Sequence, residues 1–61
     1  MAVAIEVGSE WELDDGSKWF VDAFEVDGEG KKWVTFHEDG KQKSYRWGLD
    51  AFLDRYHKTE N

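Results

Sequence analysis

The order of apolar and polar positions predicts several short strands followed by one helix. Between Lys18 and Phe36, two aromatic-rich runs, KWFVDAFEV and KWVTF, flank a DGEG turn at residues 27–30. Bulky aromatic and β-branched side chains favour a pleated, half-buried surface. Gly and Asp tolerate the positive φ angles that a tight reversal needs. This stretch therefore predicts a β-hairpin.

Turn residues recur at a regular interval, because Asp-Gly pairs stand at 15–16, 27–28 and 39–40. This spacing predicts a meander of short antiparallel strands. We expect strands at residues 10–13, 18–26, 32–37 and 41–47, with residues 1–7 as a further candidate edge strand. The longest strand, 18–26, has large apolar side chains on both faces. It is therefore either central and covered on both sides, or carries a bulge near residues 22–24 that switches its inward face.

The spacing of the apolar residues changes after Gly48 from that of a strand to that of a helix. Leu49, Phe52, Leu53 and Tyr56 stand at i, i+3, i+4 and i+7. This stripe predicts a C-terminal helix at about 49–57, which is too short to be stable unless it docks on the sheet. The predicted fold is mainly β with one C-terminal helix, an antiparallel meander of four to five strands that is strongly twisted or closed as a small barrel. The predicted core comprises Trp19, Val21, Val34, Phe36, Tyr45, Phe52 and Leu53.

Length and composition predict a single domain whose stability depends on aromatic packing. A chain of 61 residues buries only about 60% of its unfolded surface. It contains no Cys and ten aromatic residues, so disulfides and thiolate zinc sites are excluded, and large rings must supply the buried apolar area. No cofactor is expected. The sequence has neither a membrane-length apolar run nor a signal peptide, which fits a cytoplasmic protein with no membrane contact.

Charge is distributed unevenly along the chain, whose net charge is −6. Residues 1–30 carry nine acids and one base, whereas residues 31–61 carry five acids and seven bases. Acidity disfavours non-specific nucleic-acid binding and favours a protein partner with a basic surface. The alternative is that the acids only keep a small aromatic-rich protein soluble.

Surplus aromatic side chains suggest an interaction surface. Strand alternation places Phe20, Phe24 and Trp33 on the face opposite Val21 and Val34. There they are either covered by the helix or form an exposed patch for a partner or a homodimer. The resulting hypothesis is a non-enzymatic acidic protein-binding module. Its predicted contact residues are Trp33, Phe20, Phe24, Glu12, Asp14 and Asp15.

The second hypothesis is a small nucleic-acid-binding barrel that uses the basic hairpin from Lys31 to Arg46. Cationic and aromatic side chains together bind single-stranded nucleic acid. The residues concerned are Lys31, Lys32, Lys43 and Arg46, with Trp33 as their aromatic neighbour.

No catalytic or metal motif is evident: residues 28–31 lack the glycine spacing of a phosphate loop, and the Asp residues lack the ligand pattern of a calcium loop. An enzyme is not predicted.

Four segments resemble small phage- and prophage-encoded proteins with an SH3-like barrel. They are VGSEW at 7–11, Gly16 with Trp19, WVTF at 33–36 and FLDRY at 52–56. The resemblance implies an SH3-like small barrel and a possible role as a modulator of a host protein. The chain is also similar to chromo- and Tudor-type barrels, which read methylated lysine with aromatic cages, but no aromatic triplet can be assigned here as a cage.

Overall fold

The computed structural model describes residues 5–59, which form one five-stranded antiparallel sheet and a single C-terminal helix. This confirms the predicted mainly-β class. The strand order is β4-β3-β2-β1-β5, which is compatible with an SH3-like small barrel, although the sheet is not closed. The elements are β1 (Glu10–Glu12), β2 (Lys18–Val26), β3 (Lys32–Glu38), β4 (Ser44–Gly48), α1 (Leu49–Arg55) and β5 (His57–Lys58). No helix within residues 5–59 has the length and apolar character needed to cross a membrane.

Both ends of the chain differ from the sequence-based expectation. Residues 5–7 do not form the predicted edge strand, and the rest of that segment, residues 1–4, lies outside the described residues. The helix ends at Arg55 because Tyr56 adopts an extended conformation and buries its ring in the core. The following two residues form β5, which pairs with β1. A strand of two residues has no periodicity of its own, so the sequence could not predict it.

Asp side chains and left-handed glycines build the turns. In the turn before β2, Gly16 has φ = +86°, and the Asp15 carboxylate accepts hydrogen bonds from the backbone N–H and hydroxyl of Ser17. In the turn before β3, Asp27 accepts from the backbone N–H groups of residues 29 and 31. There the left-handed residue is Gly30, with φ = +82°. The Asp-Gly spacing thus located both turns.

A β-bulge lies in β2, as one of the two predictions for that strand proposed. Val21 pairs with Phe36 and Ala23 with Thr35, so the register shifts at Asp22. Beyond the bulge, Phe24 pairs with Val34 and packs against the core. The bulge therefore explains why both alternating sets of β2 positions are apolar. It also corrects the expected position of Phe24, which lies on the inner face and not beside Phe20.

The core lies between the inner face of the sheet and α1. Phe36, Phe52, Val21 and Val34 are almost completely buried, and Trp19 is also buried, as predicted. Two predicted core residues differ: Tyr45 is 37% exposed, and Leu53 is half-buried. Tyr45 is exposed because β4 is an edge strand and no further strand covers its outer side. The remaining buried hydrophobic residues are Trp11, Leu49 and Tyr56.

We expect Gly48→Ser to stabilise the domain. Gly48 is the N-cap of α1 and offers no side-chain hydrogen bond to the first turn. A Cβ atom there would lie 3.4 Å from the Cε atom of the Lys31 side chain, an ordinary van der Waals distance, and the backbone angles are ordinary. A Ser cap and the lost backbone freedom of Gly together contribute about 0.5–1 kcal/mol. Thermal unfolding followed by circular dichroism should show a higher midpoint, whereas Gly16→Ser, at positive φ, should lower it.

Candidate functional site

The outer face of the sheet, opposite α1, carries three of the six predicted contact residues, which are Phe20, Trp33 and Glu12. Cross-strand registers place Glu10, Phe20 and His37 in one row. Another row contains Glu25, Trp33 and Gly48. Phe20 and Trp33 therefore share a face, but four residues along β3 separate their rows, which corresponds to about 13 Å. The two predicted aromatic anchors lie at opposite ends of the face.

Phe20 lies among acidic side chains in what we call the Phe20 patch, which comprises Glu10, Glu12, Phe20, Asp22 and His37. The Phe20 ring is half-buried, and its centroid lies 5.9 Å from that of the His37 ring. His37 Nδ1 lies 2.8 Å from both carboxylate oxygens of Asp22. Because an ionised carboxylate only accepts hydrogen bonds, Nδ1–H is the donor. The bulge makes this contact possible, since it places Asp22 on the outer face beside β3.

The acidic residues at the β1–β2 turn have different roles. Glu12 lies on the outer face, in register with Lys18 on β2 and His57 on β5. The exposed Asp14 carboxylate lies 2.9 Å from His57 Nε2. The pKa of Asp15 is lowered, chiefly by the hydroxyl hydrogen bond from Ser17. Asp15 therefore stabilises the turn and Asp14 contacts His57, which leaves Glu12 as the predicted acid most available to a partner.

Trp33 is already in contact with two cations. Lys31 Nζ lies 4.5 Å from the Trp33 ring centroid, and the guanidinium carbon of Arg46 lies 4.4 Å from it. The indole N–H donates to Asp27 Oδ2 over 3.0 Å. Arg46 also reaches Glu25 at 3.7 Å. Trp33 is therefore committed to contacts within the chain, and its ring is a less accessible anchor than the sequence suggested.

The four bases of the predicted nucleic-acid site do not form one patch. Lys31 and Arg46 meet at Trp33, as expected from their sequence context. Lys43 contacts a different aromatic residue, because its Nζ atom lies 5.1 Å from the centroid of the Tyr45 ring. Lys32 is exposed where β3 begins, in register with Val26. The hydrogen bond from Trp33 to Asp27 was not predicted, because it joins residues across a turn whose geometry the sequence does not specify.

We expect Asp27→Ala to weaken the acid dependence of stability. The pKa of Asp27 is lowered, first by the Trp33 indole and then by the Lys31 backbone N–H. A carboxyl whose pKa is lower in the folded chain stabilises it above the unfolded pKa of about 3.9. That contribution is lost as pH falls through the folded pKa. Urea unfolding between neutral and strongly acidic pH should show a flatter acid limb for Asp27→Ala.

Asp39→Ala provides the control for this experiment, since Asp39 is an exposed acid in another turn. An acid limb that flattened equally in both variants would contradict a specific role for the Asp27 contacts. The total tryptophan fluorescence should also change in Asp27→Ala, because the Trp33 indole N–H loses its acceptor.

Within residues 5–59, no three His, Cys, Asp or Glu side chains lie close enough together to hold a metal ion. The candidate recognition surfaces of the outer face are the Phe20 patch and the cluster that Trp33 forms with Lys31 and Arg46. Comparison with known protein families, curated proteins and solved structures found no match for this chain.

Proposed function

We propose that the domain is a non-enzymatic, cytoplasmic protein-binding module that receives a basic segment of its partner on the Phe20 patch. The observation that carries this proposal is the position of Phe20. Its ring lies half-exposed on the outer face of the sheet, between Glu10 in register on β1 and the Asp22–His37 pair. The resemblance to phage-encoded barrels makes a bacterial host protein the first partner to test.

The patch matches the chemistry of Lys and Arg side chains. Their aliphatic stems pack against an aromatic ring while the charged head stays in water, and a cation over a ring face is attracted by the ring quadrupole. Glu10 and Glu12 supply carboxylates at successive outer-face positions of β1. Of these, Glu10 already contacts Lys18, with 3.8 Å between the charged atoms. Glu12 is therefore the carboxylate that we assign to the partner.

Electrostatic steering should accompany this contact. Acids around the β1–β2 turn attract a basic partner during diffusion, which raises the association rate more than the final affinity. The attraction is screened over roughly 8 Å at physiological salt. Added salt should therefore slow association more than it accelerates dissociation.

Nucleic-acid binding remains the second candidate function, supported by the meeting of Lys31 and Arg46 at Trp33. Three observations favour the protein partner over it. Both cations already contact the Trp33 ring that would stack a base. Lys43 and Lys32 lie apart from them. The net charge of −6 also opposes attraction to phosphates.

The proposal can be tested by recovering a partner from a bacterial lysate with immobilised protein, with and without nuclease treatment. We expect nuclease-resistant recovery, and association kinetics with the purified partner that slow as salt rises. Glu12→Gln should lower the association rate severalfold. Glu29→Gln removes one exposed acid from the turn between β2 and β3, at the other end of the hairpin, and should have little effect. Recovery that disappears with nuclease would favour the nucleic-acid hypothesis, and salt-independent association would remove the steering role.

A further inference from the structure

β4 is an edge strand of the sheet, and the side that faces away from β3 has no partner strand in residues 5–59. All five of its residues are exposed or half-exposed. An edge strand presents backbone N–H and C=O groups that can pair with another extended chain. Addition of a strand at such an edge is a common mode of peptide recognition.

A groove adjoins this edge where β4 runs into α1. Its volume is about 480 Å³, and its apolar walls come from Trp33, Trp47 and Ala51. Gly48, the residue of β4 in register with Trp33, also lines the groove. A chain paired with β4 would find apolar surface for its own side chains at this end of the strand.

The charge of the edge is opposite to that of the whole protein. The segment from Gly40 to Leu49 contains Lys41, Lys43 and Arg46 and no acid. Arg55 from α1 adds a further guanidinium to the groove, beside Asp54. An extended chain with carboxylates and small apolar side chains would complement both the charge of the edge and the surface of the groove.

We propose that β4 and the groove beside it form a second interaction surface, which adds an acidic, extended segment of a protein partner to the sheet. This surface is distinct from the Phe20 patch and selects the opposite charge. The domain can therefore bind a basic segment and an acidic segment at once and hold the two together.

A second copy of this chain is a poorer occupant, because antiparallel pairing of two β4 strands about Arg46 would place like charges opposite each other, which destabilises a sheet. Basic side chains on an edge are also a means by which proteins prevent self-pairing. Nucleic acid fits less well, because the groove walls are largely apolar and the Trp33 ring is already in contact with Lys31 and Arg46.

The test uses the whole chain and a short acetylated peptide of alternating Glu and Val, titrated while backbone amide resonances are recorded. We expect saturable shifts at the amides of β4 and the first turn of α1, with small changes at Phe20. Methylation of alternate peptide nitrogens should abolish binding, because it removes the strand hydrogen bonds and keeps the charges. A peptide of alternating Lys and Val should not bind at this edge.

Charge-reversal variants locate the contact. Lys43→Glu should weaken peptide binding about tenfold, since it replaces attraction by repulsion at an exposed position. Arg46→Glu should have a similar effect, but it also removes the contacts with Trp33 and Glu25. Lys58→Glu reverses a charge on β5, the opposite edge of the sheet, and should leave binding unchanged.

Several results would overturn this inference. Equal binding of the methylated and unmethylated peptides would exclude strand addition, and amide shifts confined to the Phe20 patch would exclude β4 as the site. A concentration-dependent dimer joined through β4 would make a second copy of the chain the occupant. A single-stranded oligonucleotide that binds the same edge more tightly than the peptide would make nucleic acid the occupant. Loss of partner binding at the Phe20 patch would leave the peptide titration unaffected, so the two proposals can fail independently.

Discussion

Replacement of Phe36 by Ala is expected to leave most molecules of the protein unfolded at room temperature. The Phe36 side chain is completely buried, and its ring lies 5.0–6.0 Å, centroid to centroid, from five other aromatic rings. Truncation of a buried Phe costs about 3–5 kcal/mol, because apolar contacts are lost and a cavity remains. A domain of this size has a total stability of roughly 3–9 kcal/mol. The loss is therefore comparable to the whole free energy of unfolding.

Tyr45→Ala is the matched control for this experiment. Tyr45 also contacts Phe36, with 6.0 Å between ring centroids, but it is 37% exposed at the edge of the sheet. Its removal leaves a surface notch that water can fill, so we expect a loss of about 1–2 kcal/mol. Urea unfolding followed by tryptophan fluorescence would measure the loss in Tyr45→Ala, and the fluorescence in the absence of urea would show how much of Phe36→Ala is still folded. Equal losses in the two variants would contradict a core centred on Phe36.

The sequence predicted the parts of the fold that depend on local pattern. Turn residues at regular spacing located the hairpins, and the stripe from Leu49 to Tyr56 located the helix. The alternation of side chains along β3 also correctly placed Val34 and Phe36 on one face of the sheet and Trp33 on the other. These features follow from the chemistry of single residues and their neighbours, which a sequence displays directly.

The features that were wrong or missing depend on contacts between distant segments. Tyr45 was predicted to be buried because its alternation fits the core, but its exposure depends on β4 lying at the edge. β2 is the central strand, as predicted, but only its pairing with β3 shows the bulge at Asp22, which moves Phe24 to the inner face. β5 forms because β1 offers a free edge to the chain after Tyr56. Alternation along one strand contains no information about which strand lies beside it.

The candidate site was predicted as a set of residue types and not as an arrangement. Phe20 and Glu12 share the outer face, a placement that the sequence analysis did not predict. Trp33 was expected to be an anchor, but its distance of 4.4–4.5 Å from two cations gives it a role within the chain. Asp22 and His37 were absent from the predicted set, because their contact needs the bulge. One signal could have indicated this contact. The sequence places His37 on the outer face of β3, and it places Asp22 at the suspected bulge of β2, the neighbouring strand.

Phe20→Ala is expected to cause the largest loss of partner binding among the outer-face residues. A half-exposed ring surrounded by polar groups has the character of a binding hot spot, for which truncation costs about 2 kcal/mol or more. This corresponds to a roughly 30-fold weaker affinity. The change should appear in the dissociation rate, because the ring acts after the partner has docked. Surface-based kinetics with the purified partner would measure it.

Two variants control for loss of folding and for the position of the contact. Val26→Ala truncates a side chain that is 56% exposed at the far end of β2, and it should leave the dissociation rate unchanged. Trp33→Ala should raise that rate less than Phe20→Ala, since the Trp33 ring is occupied by Lys31 and Arg46 in the free domain. Wild-type dissociation of Phe20→Ala, with rapid dissociation of Trp33→Ala, would place the contact at the Trp33 end of the face. The steering acids near Glu12 would then lie at least 13 Å from this contact by the strand spacing (about 3.3 Å per residue), too far to contact the same side chain of the partner.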